Sequence, residues 1–109
     1  MTVKPAPDAD CPPDPELPAG VLAREIDIIN KRGLHARAAA KLVQTVEQFR
    51  AEVTVTHCGE TVGGTSIMGI LMLAAAPGTS IRVTAKGPEA EAALEAVAAL
   101  IGSKFGEEE

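Results

Sequence analysis

A chain of 109 residues has room for one compact domain, and with no Trp, no Tyr and two Phe its core must be built from Ala, Val, Ile, Leu and Met. A net charge of −5 excludes a nucleic-acid binder of the usual basic kind, and the stacking aromatics of single-strand binders are missing too. No apolar run approaches the roughly 20 residues that span a bilayer, and the N-terminus carries Asp and Pro where a signal peptide would be basic and then apolar, so the expectation is a cytoplasmic protein without membrane insertion.

Residues 1–20 hold six of the eight prolines and four acids, which predicts a flexible leader ahead of a domain over 21–106, with a short acidic tail at 107–109. Residues 22–29 alternate, Ile26 and Ile28 against Glu25 and Asp27, and predict a strand. Over 36–49 the stripe Ala39, Leu42, Val43, Val46 and Phe49 predicts a helix. EVTVTH at 52–57 predicts a strand with Val53 and Val55 inward and the threonines outward. Cys58-Gly59 turns it into a short strand over 60–63. Residues 67–74 are apolar nearly all round, Pro77-Gly78 marks a turn, and 79–86 alternate with Ile81, Val83 and Ala85 inward. The final helix is expected to start at Gly87-Pro88, with Pro at its first position, and to carry Leu94, Val97, Ala98, Ile101 and Phe105 on its buried stripe. The order is β-α-β-β-α-β-α. Threonines and charges on the outer strand faces predict antiparallel pairing with one face open to water. The fold class is α+β, an open-faced β-sandwich in which a four-stranded antiparallel sheet carries three helices on one face. Cys11 and Cys58 form no CxxC pair and read as free thiols. Together with His57 they match no zinc spacing, so no metal site is expected.

The segment NKRGLHARAAAKLV, residues 30–43, concentrates the chemistry. Gly33 suits the turn out of the strand, and His35 falls at or just before the helix start. The first helical turn leaves backbone N–H groups without helical partners, and with the dipole these form an anion site. The positive end of the dipole works against an imidazolium there, which leaves a ring-nitrogen lone pair as nucleophile. A phosphoryl group accepted by that nitrogen would meet the N–H groups, and Arg37 could add guanidinium donors.

GLHARAAAKLV resembles the active-site signature of the HPr family, the histidine phosphocarriers of the phosphoenolpyruvate-dependent phosphotransferase system. TVGGTSIMGILMLAAAPGTSIRV, residues 61–83, is similar to the family's regulatory-serine segment. Its GTSIMG variant looks most like alphaproteobacterial members, including the nitrogen-related branch. The resemblance covers about residues 22–106 and implies a carrier, not an enzyme, with no cofactor. It implies that His35 accepts a phosphoryl group on Nδ1 from enzyme I and yields it to enzyme IIA-type acceptors. It further implies that Arg37 is the active-site arginine and Ser66 the target of a serine kinase/phosphorylase. Many members have Pro after that arginine; Ala38 here supplies an extra backbone donor.

Ser66 is also good N-cap chemistry for the apolar segment that follows. In that segment Ile70 and Leu73 are expected in the core, leaving Ile67, Met68 and Leu71 as an exposed docking patch. The competing reading is a non-carrier regulatory module acting through this patch, with Ser66 setting its state; retention of His35 weighs against it. A third, remoter reading is a small domain that binds phosphate or a nucleotide at the first helix. A carrier that presents one face to successive partners is expected to be monomeric.

Overall fold

The computed structural model describes residues 16–106, so residues 1–15 of the expected leader and the tail at 107–109 lie outside it. Within that span the chain runs β1 (Leu22–Asp27), α1 (Ala36–Val46), β2 (Glu52–His57), β3 (Glu60–Gly63), α2 (Ile67–Met72), β4 (Ser80–Lys86) and α3 (Ala90–Gly102), closing with a 3-10 turn at Lys104–Gly106. The strands form one sheet in the order β1-β4-β2-β3 with every neighbour antiparallel. Directly paired residues share a sheet face. Val55 pairs with Val83 and Val62, and Ile26 with Ile81, which places these side chains on the face that receives the helices.

Ile28, Leu42, Val55, Ile70, Val83, Val97 and Ile101 meet in a fully buried aliphatic core between sheet and helices. Each such side chain contributes about 1.5–3 kcal/mol by leaving water. The opposite face carries Thr54, Thr56, Thr84 and Arg82. Thr54 and Thr84 hydrogen-bond each other across strands, and Thr56 bonds Thr61 at 2.8 Å. Thr56 is nevertheless buried, although alternation alone points it at water. On this face Leu17, Pro18 and Val21 join Glu52, Thr54, Thr84 and Lys86 around a half-open cleft of about 240 Å³.

The structure departs from the sequence expectations at several element ends. Helix α1 stops at Val46, and Phe49 packs partly buried against the core from the turn beyond. Pro88 lies in the turn before α3, not at its first position. Glu89 is held back as the N-cap residue because Arg50 N donates to its Oε1 (2.7 Å) while Glu89 N donates to Arg50 O (3.1 Å). Helix α3 ends at Gly102. Lys104 and Phe105 take left-handed backbone angles (φ 58° and 57°) that fold the Phe105 ring back into the core.

Candidate functional site

Strand β1 delivers the chain into a turn closed by Gly33 N donating to Asn30 O at 3.2 Å. Gly33 adopts φ +64°, and a Cβ there would lie 2.5 Å from Ala75 O, so conformation and space both require glycine. Leu34 N donates to Ala75 O (3.1 Å), which ties this turn to the segment after α2. His35 follows as the N-cap residue of α1, extended at φ −78°, ψ 179°. Its carbonyl accepts the first helical bond from Ala39 N at 2.8 Å, and its side chain makes no capping bond to the helix.

The consequence is chemical. Helical geometry leaves the amides of Ala36, Arg37 and Ala38 without i−4 acceptors, so they form the positive end of α1 directly after the imidazole. Ala38 contributes an amide that proline would have lacked. The His35 side chain is partly exposed, within reach of another protein, and Arg37 is exposed one residue into the helix. A histidine at the head of a helix, followed by N–H donors that the helix does not use and by an arginine two residues on, has the groups needed to accept a phosphoryl group and stabilise its charge.

Ser66 stands at the start of α2, where its Oγ accepts from Gly69 N at 3.0 Å. A Cβ on Gly69 would lie 2.9 Å from that Oγ and 3.0 Å from Val62 Cβ, so the small residue lets the cap and strand β3 close on one another. Ile70 and Leu73 are buried. Ile67 and Met68 are 41% and 68% exposed, while Leu71 is half-buried against the core. The most exposed member of the helix is Met72, at 78%. It lies one turn from Met68 on the same column, a position that the sequence reading passed over.

Asn30 was passed over as well. It is fully buried, and its Nδ2 donates to Gly33 O at 2.8 Å. A lone Asn before a glycine turn looks like ordinary turn chemistry, and only its burial reveals more. Cys58 corrects the expectation of free thiols, because it is disulfide-bonded. It occupies the left-handed tip of the β2–β3 hairpin (φ 52°), an exposed turn where a sulfur is accessible for pairing. Cys11 lies outside the described residues. The neighbouring His57 has Nδ1 3.1 Å from Ser80 O. Among the described residues no helix is long and apolar enough to cross a membrane.

The family model for the phosphorylation site of the PTS HPr component matches residues 22–103. The phosphocarrier protein HPr of Neisseria meningitidis is 49% identical over 89 residues, covering 82% of this chain and all of its own length. The phosphocarrier protein NPr of Shewanella violacea is 43% identical over 86 residues, covering 79% of this chain and 94% of itself. Among solved structures, HPr-C-His from Thermoanaerobacter tengcongensis aligns with a TM-score of 0.77 at 42% identity, over 81% of this chain and 99% of that one.

Proposed function

The chain belongs to the HPr family of phosphotransferase-system phosphocarriers, and we propose that its phosphoryl group travels on His35. The observation that carries this reading is the position of that histidine: it caps α1 and precedes three amides that the helix does not use. The donor is the phosphohistidine of enzyme I, and enzyme IIA-type proteins are the acceptors. In each transfer the lone pair of a ring nitrogen attacks phosphorus. The new N–P bond forms as the old one breaks, and the departing nitrogen keeps its electron pair. Arg37 and the amides of residues 36–38 hold the phosphoryl oxygens while the group is carried.

The exposed residues of α2, with Met68 at their centre, form the docking surface in this reading. Ser66 at the head of the same helix is the control point, modified by a serine kinase/phosphorylase. A phosphate there acts by obstructing docking, since an anion at a helix start leaves the helix itself intact. The carrier works as a monomer in the cytoplasm, with acceptors in sugar uptake or in the nitrogen-related circuit, a reading supported by its similarity to proteins named both HPr and NPr.

The deciding experiment is incubation with enzyme I, Mg²⁺ and phosphoenolpyruvate, followed by intact-mass analysis. The parent gains one acid-labile phosphoryl group, and His35→Ala gains none. Equal labelling of the two proteins, or none of either, rejects the assignment and leaves the regulatory-module reading in its place.

A further inference from the structure

The Gly33–Leu34 peptide unit, one before the unit that carries the His35 amide, is tied at both of its polar ends. Its N–H, on Leu34, donates to Ala75 O at 3.1 Å. Its oxygen, on Gly33, accepts twice: from the His35 amide at 3.0 Å and from Asn30 Nδ2 at 2.8 Å. A carbonyl oxygen has two lone pairs, and these two donors use both. Asn30 is fully buried, and among the described residues the other buried polar side chains are all threonines, Thr56, Thr79 and Thr84. Burying an amide is costly unless it is hydrogen-bonded, and the Gly33 oxygen supplies that bond for the Nδ2 half of the group.

We infer that Asn30 is a positioning residue for phosphoryl transfer, an inference that rests on His35 being the carrier. Its amide holds the Gly33 carbonyl, and that carbonyl holds the His35 N–H in the turn. With the Gly33–Leu34 peptide plane locked and the His35 N–H held on its oxygen, the next peptide is oriented too and the His35 backbone keeps its extended N-cap geometry. The imidazole is then carried at the start of the helix, ahead of the amides of residues 36–38, with only its own two side-chain torsions to settle. Without the Asn30 donor the peptide can rotate about its flanking bonds, and the ring loses its register with those amides. Misplacement on this scale is enough to slow a group transfer by about ten-fold or more.

The test compares the parent with Asn30→Asp, which keeps the shape and replaces the donor by an acceptor. Both are phosphorylated chemically with phosphoramidate, so that no partner protein is needed. The His35 ring nitrogen attacks phosphorus, the P–N bond of the reagent breaks, and ammonia leaves with the electron pair and a proton. His35→Ala serves to identify the signal from His35. The folded variant is expected to lose its phosphoryl group about ten-fold faster than the parent. With phospho-enzyme I as donor, its saturated transfer rate is expected to fall by about the same factor at an unchanged half-saturating concentration. A purely structural Asn30 would lower the unfolding midpoint and leave both readouts of the folded protein alone, and that result overturns the inference. A parent that takes no phosphoryl group on His35 overturns the carrier assignment and this inference with it. Should Asn30→Asp not fold, hydrogen exchange in the parent decides. Protected Asn30 side-chain and His35 backbone amides, both shifting on phosphorylation, uphold the inference; an Asn30 amide that exchanges at the rate of a free one rejects it.

Discussion

Gly33 and Ser66 show how single residues hold this site, and each can be tested without touching the histidine. At Gly33 a methyl group would both oppose the positive φ and strike Ala75 O. Gly33→Ala is therefore expected to cost roughly 2–4 kcal/mol, read from the shift of a urea-unfolding curve. Phosphorylation of His35 in the surviving folded protein should slow as well, because Ala75 and the His35 turn must move apart. Ser66 should behave in the opposite way. Asp is as good an N-cap as Ser, so Ser66→Asp should hold stability within about 0.5 kcal/mol. Its charge at the edge of the proposed docking surface should raise the half-saturating concentration of enzyme I by about ten-fold, worth ~1.4 kcal/mol. Equal affinity of variant and parent would remove Ser66 from the control of docking.

At the scale of an element, α2 has one buried face and one exposed face, and the proposed docking role falls to the exposed one. Met68→Asp and Met72→Asp alter side chains that are mostly in water, so unfolding midpoints should hardly move, by less than about 0.5 kcal/mol. Binding of enzyme I, measured by titration calorimetry, should weaken by several-fold in each. Ile70→Ala, on the buried face, should instead cost about 2–5 kcal/mol and leave the affinity of the folded protein unchanged. This helix also marks how far local pattern reaches. Six residues that are apolar nearly all round do not reveal which way the helix is rotated; the packing of Gly69 on Val62 of β3 decides that. Ile70 and Leu73 were expected in the core and are there, but the division between half-buried Leu71 and exposed Met72 was not legible. The strands were legible because alternation is local, and so were the glycine turn, the position of His35 and the Ser66 cap. Asn30, by contrast, looks like a turn residue until the fold buries it completely. Pro88 misled for the same reason: a contact with Arg50, distant in sequence, set where α3 begins.

For the whole molecule, the question is what joins the helix bearing His35 to the rest of a small aliphatic core. One link runs through the chain's last described turn. Phe105 is one of only two aromatic residues, and the left-handed backbone at 104 and 105 turns its ring inward until it is almost wholly buried. Its carbonyl then faces α1 and accepts from Lys41 Nζ at 2.5 Å. The ring therefore fills the core from the side of α3, while the backbone beside it is fastened to the helix that His35 caps. Truncating Phe105 to Ala should cost about 3–5 kcal/mol. For a domain of this size the total is on the order of 5–10 kcal/mol, so the variant should lose a large share of its stability and unfold at a markedly lower temperature in a calorimetric scan. Lys41→Met separates the two contributions, since it removes the bond to the carbonyl and keeps the aliphatic stem. Its expected loss is about 1–2 kcal/mol, the value of a charge-assisted bond at a partly exposed site. If the two substitutions together cost clearly less than their sum, the ring and the lysine act as one fastening. A strictly additive result would mean that Phe105 stabilises by filling space alone, and that α1 is held by its own buried face.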